Sequence, residues 1–167
     1  MMKLFMVYLG GTAPGANIEL HDIRFVVGAD IEATFEQLRQ QWFGDIKGLH
    51  LDSYLQLTDV DGYKIELVNE PVVADKQLYF INFGGYFPDK LAEQHEVMVC
   101  VAGSAAEAKA RAKAQLLTQC HSPHKDDLLQ VDECLLMSQL GAYFIKLTPG
   151  GSHQPLVPDW FGYRVIG

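Results

Sequence analysis

The stretch that decides the fold is GGTAPGANIELH, residues 10–21, because the chain repeats its key positions further on. Residues 84–95 are GGYFPDKLAEQH, so both copies share the pattern G-G-x-x-P-x-x-x-x-E-x-H, 74 positions apart. Five identities at identical spacing rarely arise by chance, and we infer an internal duplication. Each copy keeps one glutamate and one histidine, which are the chemically reactive residues of the pattern.

The repeat extends through most of the chain. At the same offset of 74, Val27 matches Val101; after a short insertion the offset becomes 80, and Tyr63 matches Tyr143. Two copies are too few for a solenoid. We therefore expect the copies to pack as a pseudo-dimer with pseudo-twofold symmetry, through an isologous contact.

This repeat predicts how the chain is divided. Repeat unit 1 is expected over residues 1–70, repeat unit 2 over 71–148, and a C-terminal docking tail over 149–167. Each unit alone would be only marginally stable, so the two are expected to share one core.

Each unit is predicted to follow the order β-β-α-β-β. An apolar run, residues 4–9 or 78–83, is typical of a central strand, and the Gly-Gly pair is expected to end it through positive φ. An alternating strand and a helix follow. A hairpin across Asp61-Gly62, with 54–58 pairing with 63–68, then ends the unit. The sequence therefore predicts an α+β fold, a tandem duplication with largely antiparallel sheet and one helix per unit.

Composition excludes several classes of function. The net charge of −8, without a basic run, argues against a nucleic-acid partner. No apolar run approaches the roughly 18 residues of a membrane span, so we expect no membrane association. The cysteines are three in number and lack C-x-x-C spacing, which favours free thiols in the cytoplasm.

The two Glu-x-His pairs are the first-tier candidate site residues. Strand periodicity places Glu19 and His21 on the face that carries Ile23, and it places Glu93 and His95 likewise. A carboxylate beside an imidazole suits a general acid–base pair, or two ligands of a divalent metal. The alternative is structural, with each histidine bonded to its glutamate and bracing the Gly-Gly loop.

A second His-x-Asp pattern also recurs and supports the first. His50 and Asp52 in one copy match His124 and Asp126 in the other. Their phase is opposite to that of Leu55, so in a regular strand they would face solvent or an interface. They are secondary ligand-binding candidates.

The sequence contains no further motif that indicates a particular reaction or ligand. The glycine-rich stretch lacks the lysine of a phosphate-binding loop, and no nucleophile elbow is present. The sequence therefore names neither a cofactor nor a reaction, and it leaves open whether the protein is an enzyme. The aromatic tail is expected to dock on the core or on a second subunit, so a homo-oligomer could form through the tail or a sheet edge.

The repeated unit resembles a small bacterial family known as a domain of unknown function, serial 1543. The resemblance rests on the apolar strand, G-G-x-x-P and E-x-H in two copies, and it covers residues 3–147. It implies a bacterial, cytoplasmic protein. It brings no activity, cofactor or catalytic residue with it.

The sequence therefore leaves two hypotheses for function. The first is binding of a small ligand or a divalent metal near the repeated Glu-x-His pairs. The second is a non-enzymatic structural or interaction module in which those pairs stiffen the loops.

Overall fold

The structure is a computed structural model, and it describes residues 1–116, 122–123 and 134–167. The strands are β1 (Lys3–Gly11), β2 (Leu20–Gly28), β3 (His50–Leu57), β4 (Asp59–Val60), β5 (Tyr63–Val68), β6 (Gln77–Tyr86), β7 (Gln94–Ala102), β8 (Ser122–Pro123), β9 (Cys134–Leu136), β10 (Gln139–Leu140), β11 (Tyr143–Pro149) and β12 (Trp160–Val165). The helices are α1 (Phe35–Gln41), which follows a 3₁₀ turn at Glu32–Thr34, and α2 (Ala105–Gln115). The predicted α+β fold is confirmed.

Unit 1 is built on a four-stranded antiparallel sheet with the order β12-β3-β1-β2. Its central strand β1 is buried along most of its length, as its apolar run predicts. One face of β1 supplies Phe5, Val7 and Leu9 to a cluster that includes Leu38 of α1. The other face turns toward unit 2.

The second sheet repeats the first. β6 pairs with β7, β8 and β9, all antiparallel. Met6 lies opposite Leu55, and Phe80 lies opposite Leu135. These two pairs are equivalent in the repeat. Phe80 corresponds to Met6 at the offset of 74, and Leu135 corresponds to Leu55 at the offset of 80 that applies after the insertion. The duplication is therefore retained in strand register as well as in sequence.

Each unit packs one helix against the outer face of its sheet. The Asp30 carboxylate accepts a hydrogen bond from the Ala33 amide, at 2.9 Å, just before α1. The Ser104 hydroxyl accepts one from the Glu107 amide, at 3.2 Å, and caps α2. The buried alanines of α2 allow close approach to β6 and β7.

A third antiparallel sheet, β10-β11-β5-β4, joins the two units. β5 pairs with β11, and Glu66 lies opposite Lys146. Lys146 is the counterpart of Glu66 at the offset of 80. When equivalent residues of two antiparallel strands lie opposite each other, a local twofold axis passes between them. The contact between the two units is therefore isologous.

One detail of the predicted hairpin is corrected. The turn at Asp61-Gly62 forms, and φ values of 51° and 83° are those of the tight turn that suits this dipeptide. The turn pairs β4 with β5, however, while residues 54–57 belong to β3, which pairs with β1 and β12. The partner of most of β5 is β11, because both strands pack apolar residues on the central core.

The central core lies between the two sheets. It draws buried residues from both halves of the chain, including Met6, Phe25 and Leu55 from the first half and Phe80 and Val99 from the second. The division at residues 70 and 148 stays a prediction. No helix in the described part of the chain is long and apolar enough to cross a membrane.

The C-terminal residues pair with unit 1. β12 runs antiparallel to β3, Trp160 stacks on Tyr54 with ring centroids 5.9 Å apart, and Ile166 is buried. Phe161 and Tyr163 remain largely exposed. The tail therefore forms the edge of the unit 1 sheet.

Candidate functional site

Gly10 occupies the centre of the candidate site. It lies opposite His21 on β2 and opposite His50 on β3, so the two histidines flank it in one row across the sheet. Adjacent strands are about 4.8 Å apart, which puts the two histidine Cα atoms roughly 10 Å from each other. Because Gly10 has no side chain, the two imidazoles can close over it.

The Gly-Gly pairs act differently from their predicted role. Gly10-Gly11 lies inside β1 and Gly84-Gly85 inside β6, and none of these four glycines has positive φ. A Cβ added to Gly10 would clash with His50 Nε2 and lie 3.0 Å from Asp52 Oδ2. A Cβ on Gly84 would clash with Glu93. The repeated glycines are therefore explained by the close approach of these side chains to the strand, which leaves no space for a Cβ atom.

A β-bulge at Asp52 corrects the predicted phase of the His-x-Asp pair. Tyr8 lies opposite Ser53 and Leu9 lies opposite Leu51, which leaves Asp52 as an extra residue in β3. A bulge re-aims the side chains that precede it. His50 and Asp52 consequently contact Glu19 and His21, whereas the predicted regular strand would place them on the opposite face, toward solvent or an interface.

Glu19, His21, His50 and Asp52 form a closed ring of contacts, which we call the four-residue cluster. His50 Nε2 lies 3.1 Å from Glu19 Oε1 and 3.4 Å from Asp52 Oδ1. His21 Nε2 lies 3.6 Å from Glu19 Oε2 and 3.3 Å from Asp52 Oδ2. Each carboxylate thus spans both imidazoles, and the first-tier and secondary candidates of unit 1 meet in one place.

His50 is the buried member of the cluster, with a side chain only 1% exposed. Its Nδ1 donates a hydrogen bond to the Gly48 carbonyl oxygen at 2.8 Å, since a carbonyl can only accept. Its Nε2 is buried without a hydrogen-bond partner, although two carboxylate oxygens are near. Those oxygens, at 3.1 Å and 3.4 Å, are close enough to interact electrostatically.

One aromatic ring packs against each histidine. Tyr8 stacks on His21, with ring centroids 5.3 Å apart and planes 8° apart. Tyr163 of the tail covers His50, with ring centroids 4.1 Å apart. Burial, and then the charges of Asp52 and Asp22, raises the pKa of Tyr8, so its phenol keeps its proton at neutral pH.

In unit 2 only part of the equivalent set is described. His95 lies opposite Gly84, and its Nε2 is 3.7 Å from Glu93 Oε2. The Asn82 amide donates to His95 Nδ1 at 3.2 Å, so the neutral ring carries its proton on Nε2. The remaining secondary candidates, His124 and Asp126, lie outside the described residues.

A cavity of about 740 Å³ lies between the two sheets, and His21 and His95 both line it. Its apolar wall comes from residues of both units: Met6, Ile23, Leu55, Phe80 and Val97. Polar groups come from Tyr8, Ser53 and Asn82 and from the ion pair of Arg24 with Asp22, and Leu156 and Pro158 of the tail also line the cavity. The two repeated histidines are therefore brought together around one space, whereas Glu19 and Glu93 are not among its lining residues.

Sequence reasoning missed three residues of the site. Tyr8 and Asn82 are equivalent at the offset of 74, and each contacts the histidine of its own unit. Strand periodicity could have found them, because they precede Gly10 and Gly84 by two positions. No pattern in the sequence indicates Tyr163, which lies outside the repeat.

Two further observations limit the chemistry of the site. Burial raises the pKa of the Cys100 thiol to about 11, so this cysteine is protonated at neutral pH and packs as an apolar residue. In the described residues, no three His, Cys, Asp or Glu side chains already gather their donor atoms as a metal site requires.

Comparison with known proteins identifies a family and a solved structure that resemble this chain. No curated protein matches the chain. A crystal structure of protein Il1583 from Idiomarina loihiensis is 44% identical, covers 100% of this chain and 99% of that one, and superimposes with a TM-score of 0.79. The family described as Domain of Unknown Function (DUF1543) matches residues 16–67 and 90–138, once in each unit. These two matches span more than half of the sequence, and the chain belongs to the DUF1543 family.

Proposed function

We propose that this protein binds a small organic molecule in the cavity between the two units, with His21 and His95 contacting it from the two sheets. The observation that carries the proposal is that one cavity of about 740 Å³ has both repeated histidines in its wall. Binding sites for small molecules typically measure about 300–1,000 Å³ and combine an apolar lining with a few placed polar groups.

The lining indicates the kind of molecule. Met6, Leu55, Phe80 and Val97 offer apolar surface to an apolar body. The imidazoles can each donate or accept a hydrogen bond according to tautomer, and the Tyr8 and Ser53 hydroxyls can do both. A molecule with an apolar body and one or two hydrogen-bonding groups fits this surface.

The two halves of the cavity differ at several equivalent positions, and one of them, Tyr8 in unit 1 and Asn82 in unit 2, lies beside the repeated histidine. Tyr8 stacks its ring on His21, whereas Asn82 donates to His95 Nδ1. A stacked ring offers a flat apolar face, and an amide offers polar contacts. Because the halves differ, the ligand is expected to bind in a single orientation.

Filling the cavity tests the proposal. The probe is the dye anilinonaphthalene sulfonate, which fluoresces when its rings leave water, and the variant is Val97→Trp. We expect the variant to weaken dye binding at least about 10-fold, since the indole takes up the space of the probe. Val73→Trp, at a fully exposed position, is the matched control and should bind as the wild type does.

Equal dye affinity in Val97→Trp and in the wild type, with both proteins folded by circular dichroism, contradicts the proposal. A cavity that admits the dye then justifies a search for the natural ligand. Mass spectrometry of small molecules released when the purified protein is denatured is the direct way to find it.

The structural alternative is favoured by the packing of the motif on its own glycines. Glu93 and His95 lie against Gly84, and His50 and Asp52 lie against Gly10. If these side chains only brace the strands, His21→Ala and His95→Ala lower the melting temperature and leave dye affinity unchanged. Lost dye binding at an unchanged melting temperature supports the ligand site.

A further inference from the structure

The buried Nε2 of His50 has no hydrogen-bond partner. Because Nδ1 donates to the Gly48 carbonyl, the neutral ring presents a bare lone pair at Nε2. That lone pair lies 3.1 Å and 3.4 Å from oxygens of two carboxylates. Negative oxygens repel a lone pair, and a metal cation placed between them would turn that repulsion into attraction.

The set of donor atoms matches a transition metal. Two imidazole nitrogens and two carboxylates are ligands that zinc uses at metal–ligand distances of about 2.0–2.2 Å. Donor atoms arranged tetrahedrally at those distances lie roughly 3.3–3.6 Å apart. The four nitrogen–oxygen separations of the cluster run from 3.1 to 3.6 Å, close to this range.

We infer that Glu19, His21, His50 and Asp52 bind a divalent transition-metal ion, with Zn²⁺ as the closest match. His50 is oriented by its bond to Gly48, which is the role of a supporting hydrogen bond behind a metal-binding histidine. The missing side chain at Gly10 lets His50 Nε2 and Asp52 Oδ2 approach the strand in the row that also holds His21.

Metal binding requires a small rearrangement of the carboxylates. In the described residues no three donor groups yet point to a common centre. Each carboxylate divides its two oxygens between the two imidazoles. Glu19 is 46% exposed and Asp52 27% exposed, so both can rotate to turn one oxygen inward. The buried imidazole of His50 is the fixed part of the site.

The metal site is distinct from the ligand cavity. His21 belongs to both, but Glu19, His50 and Asp52 stand outside the described lining of the cavity. Val97→Trp, which fills the cavity, should therefore leave zinc affinity unchanged. Failure of the cavity proposal and failure of the metal proposal are distinguishable for this reason.

The test is calorimetric titration of Zn²⁺ into tag-free, chelator-treated protein at neutral pH. Asp52→Asn and Glu19→Gln keep the shape of each side chain and remove its charge. We expect either substitution to weaken a zinc site at least about 10-fold. The control is Glu36→Gln, which changes an exposed carboxylate on α1 and should bind as the wild type does.

Two results would overturn the inference. One is an absence of zinc binding by the wild type, and the other is unchanged zinc affinity in both Asp52→Asn and Glu19→Gln, which would point to thiols or surface groups. A second test uses the wild-type protein. Adding Zn²⁺ is expected to shift the ring-proton NMR signals of both His21 and His50. Unshifted His50 signals in the zinc-bound protein also contradict the inference.

Discussion

Gly10 shows why a residue without a side chain recurs in the motif. It lies in an extended strand between His21 and His50, where its function is to let those two imidazoles approach the backbone. Gly84 has the same position beside His95 in the second unit. The two glycines differ in what an added methyl group would meet, because His50 is a buried ring and Glu93 has a flexible end.

This difference predicts unequal effects of the same substitution. Gly10→Ala forces the buried His50 ring to move, and we expect a loss of about 1–3 kcal/mol in the free energy of unfolding. Gly84→Ala is expected to cost less, since the end of the Glu93 side chain can turn away. Denaturant unfolding of both variants measures the two losses in the free energy of unfolding. A larger loss in Gly84→Ala would contradict this account.

The hairpin β4–β5 connects unit 1 to the edge strand of unit 2. The Asp61 carboxylate accepts hydrogen bonds from the Val101 amide at 2.8 Å and from Arg111 at 2.6 Å. Arg111 also donates to the Val101 carbonyl, at 3.0 Å. In unit 2, Asp61 of the turn and Arg111 of the helix together bond the Val101 backbone. In unit 1, the equivalent helix residue Gln37 alone bonds the equivalent backbone of Val27.

The pKa of Asp61 gives this contact a pH dependence. Burial alone would raise the pKa, but hydrogen bonds from Arg111 and the Val101 amide outweigh it and hold the pKa below its usual value. A depressed folded-state pKa contributes stability that is present above the unfolded pKa of about 3.9. That stability is lost as the pH falls from there through the folded pKa.

Asp61→Asn tests the contact without disturbing the turn, because asparagine also tolerates a φ of 51°. We expect a loss of about 1–3 kcal/mol at neutral pH, since the Arg111 charge loses its partner. The difference from the wild type should shrink as the pH falls below about 4. Asp89→Asn, in an exposed loop, is the control. A difference that persists unchanged in acid would contradict the assignment.

At the scale of the whole molecule, the two units share apolar packing. Phe25 of unit 1 and Phe80 of unit 2 meet edge to face, with ring centroids 5.1 Å apart and planes 65° apart. Both belong to the central core, which continues into the cavity lined by His21 and His95. A core made by both halves makes each half depend on the other for burial.

Phe25→Ala should therefore destabilise the whole chain at once. We expect a loss of about 3–5 kcal/mol, from the lost ring and the space it leaves. Calorimetry should show one transition before and after the substitution, with calorimetric and van't Hoff enthalpies in agreement. Two transitions, with only the first shifted by the substitution, would contradict a shared core.

The sequence by itself determined the duplication, the α+β class with one helix per unit, and the placement of Glu19 and His21 on one strand face. These features follow from repetition and from the periods of two and 3.6 residues, which are local properties of the chain. Helix caps such as Ser104 also depend only on near neighbours.

Tertiary structure alone decided how the site is assembled. The bulge at Asp52, the crossing of β5 to β11 and the position of Tyr163 over His50 each depend on residues far apart in sequence. A strand pattern assumes regular pairing, and one extra residue in β3 reverses the faces of those before it. His50 and Asp52 join the Glu19–His21 pair for that reason.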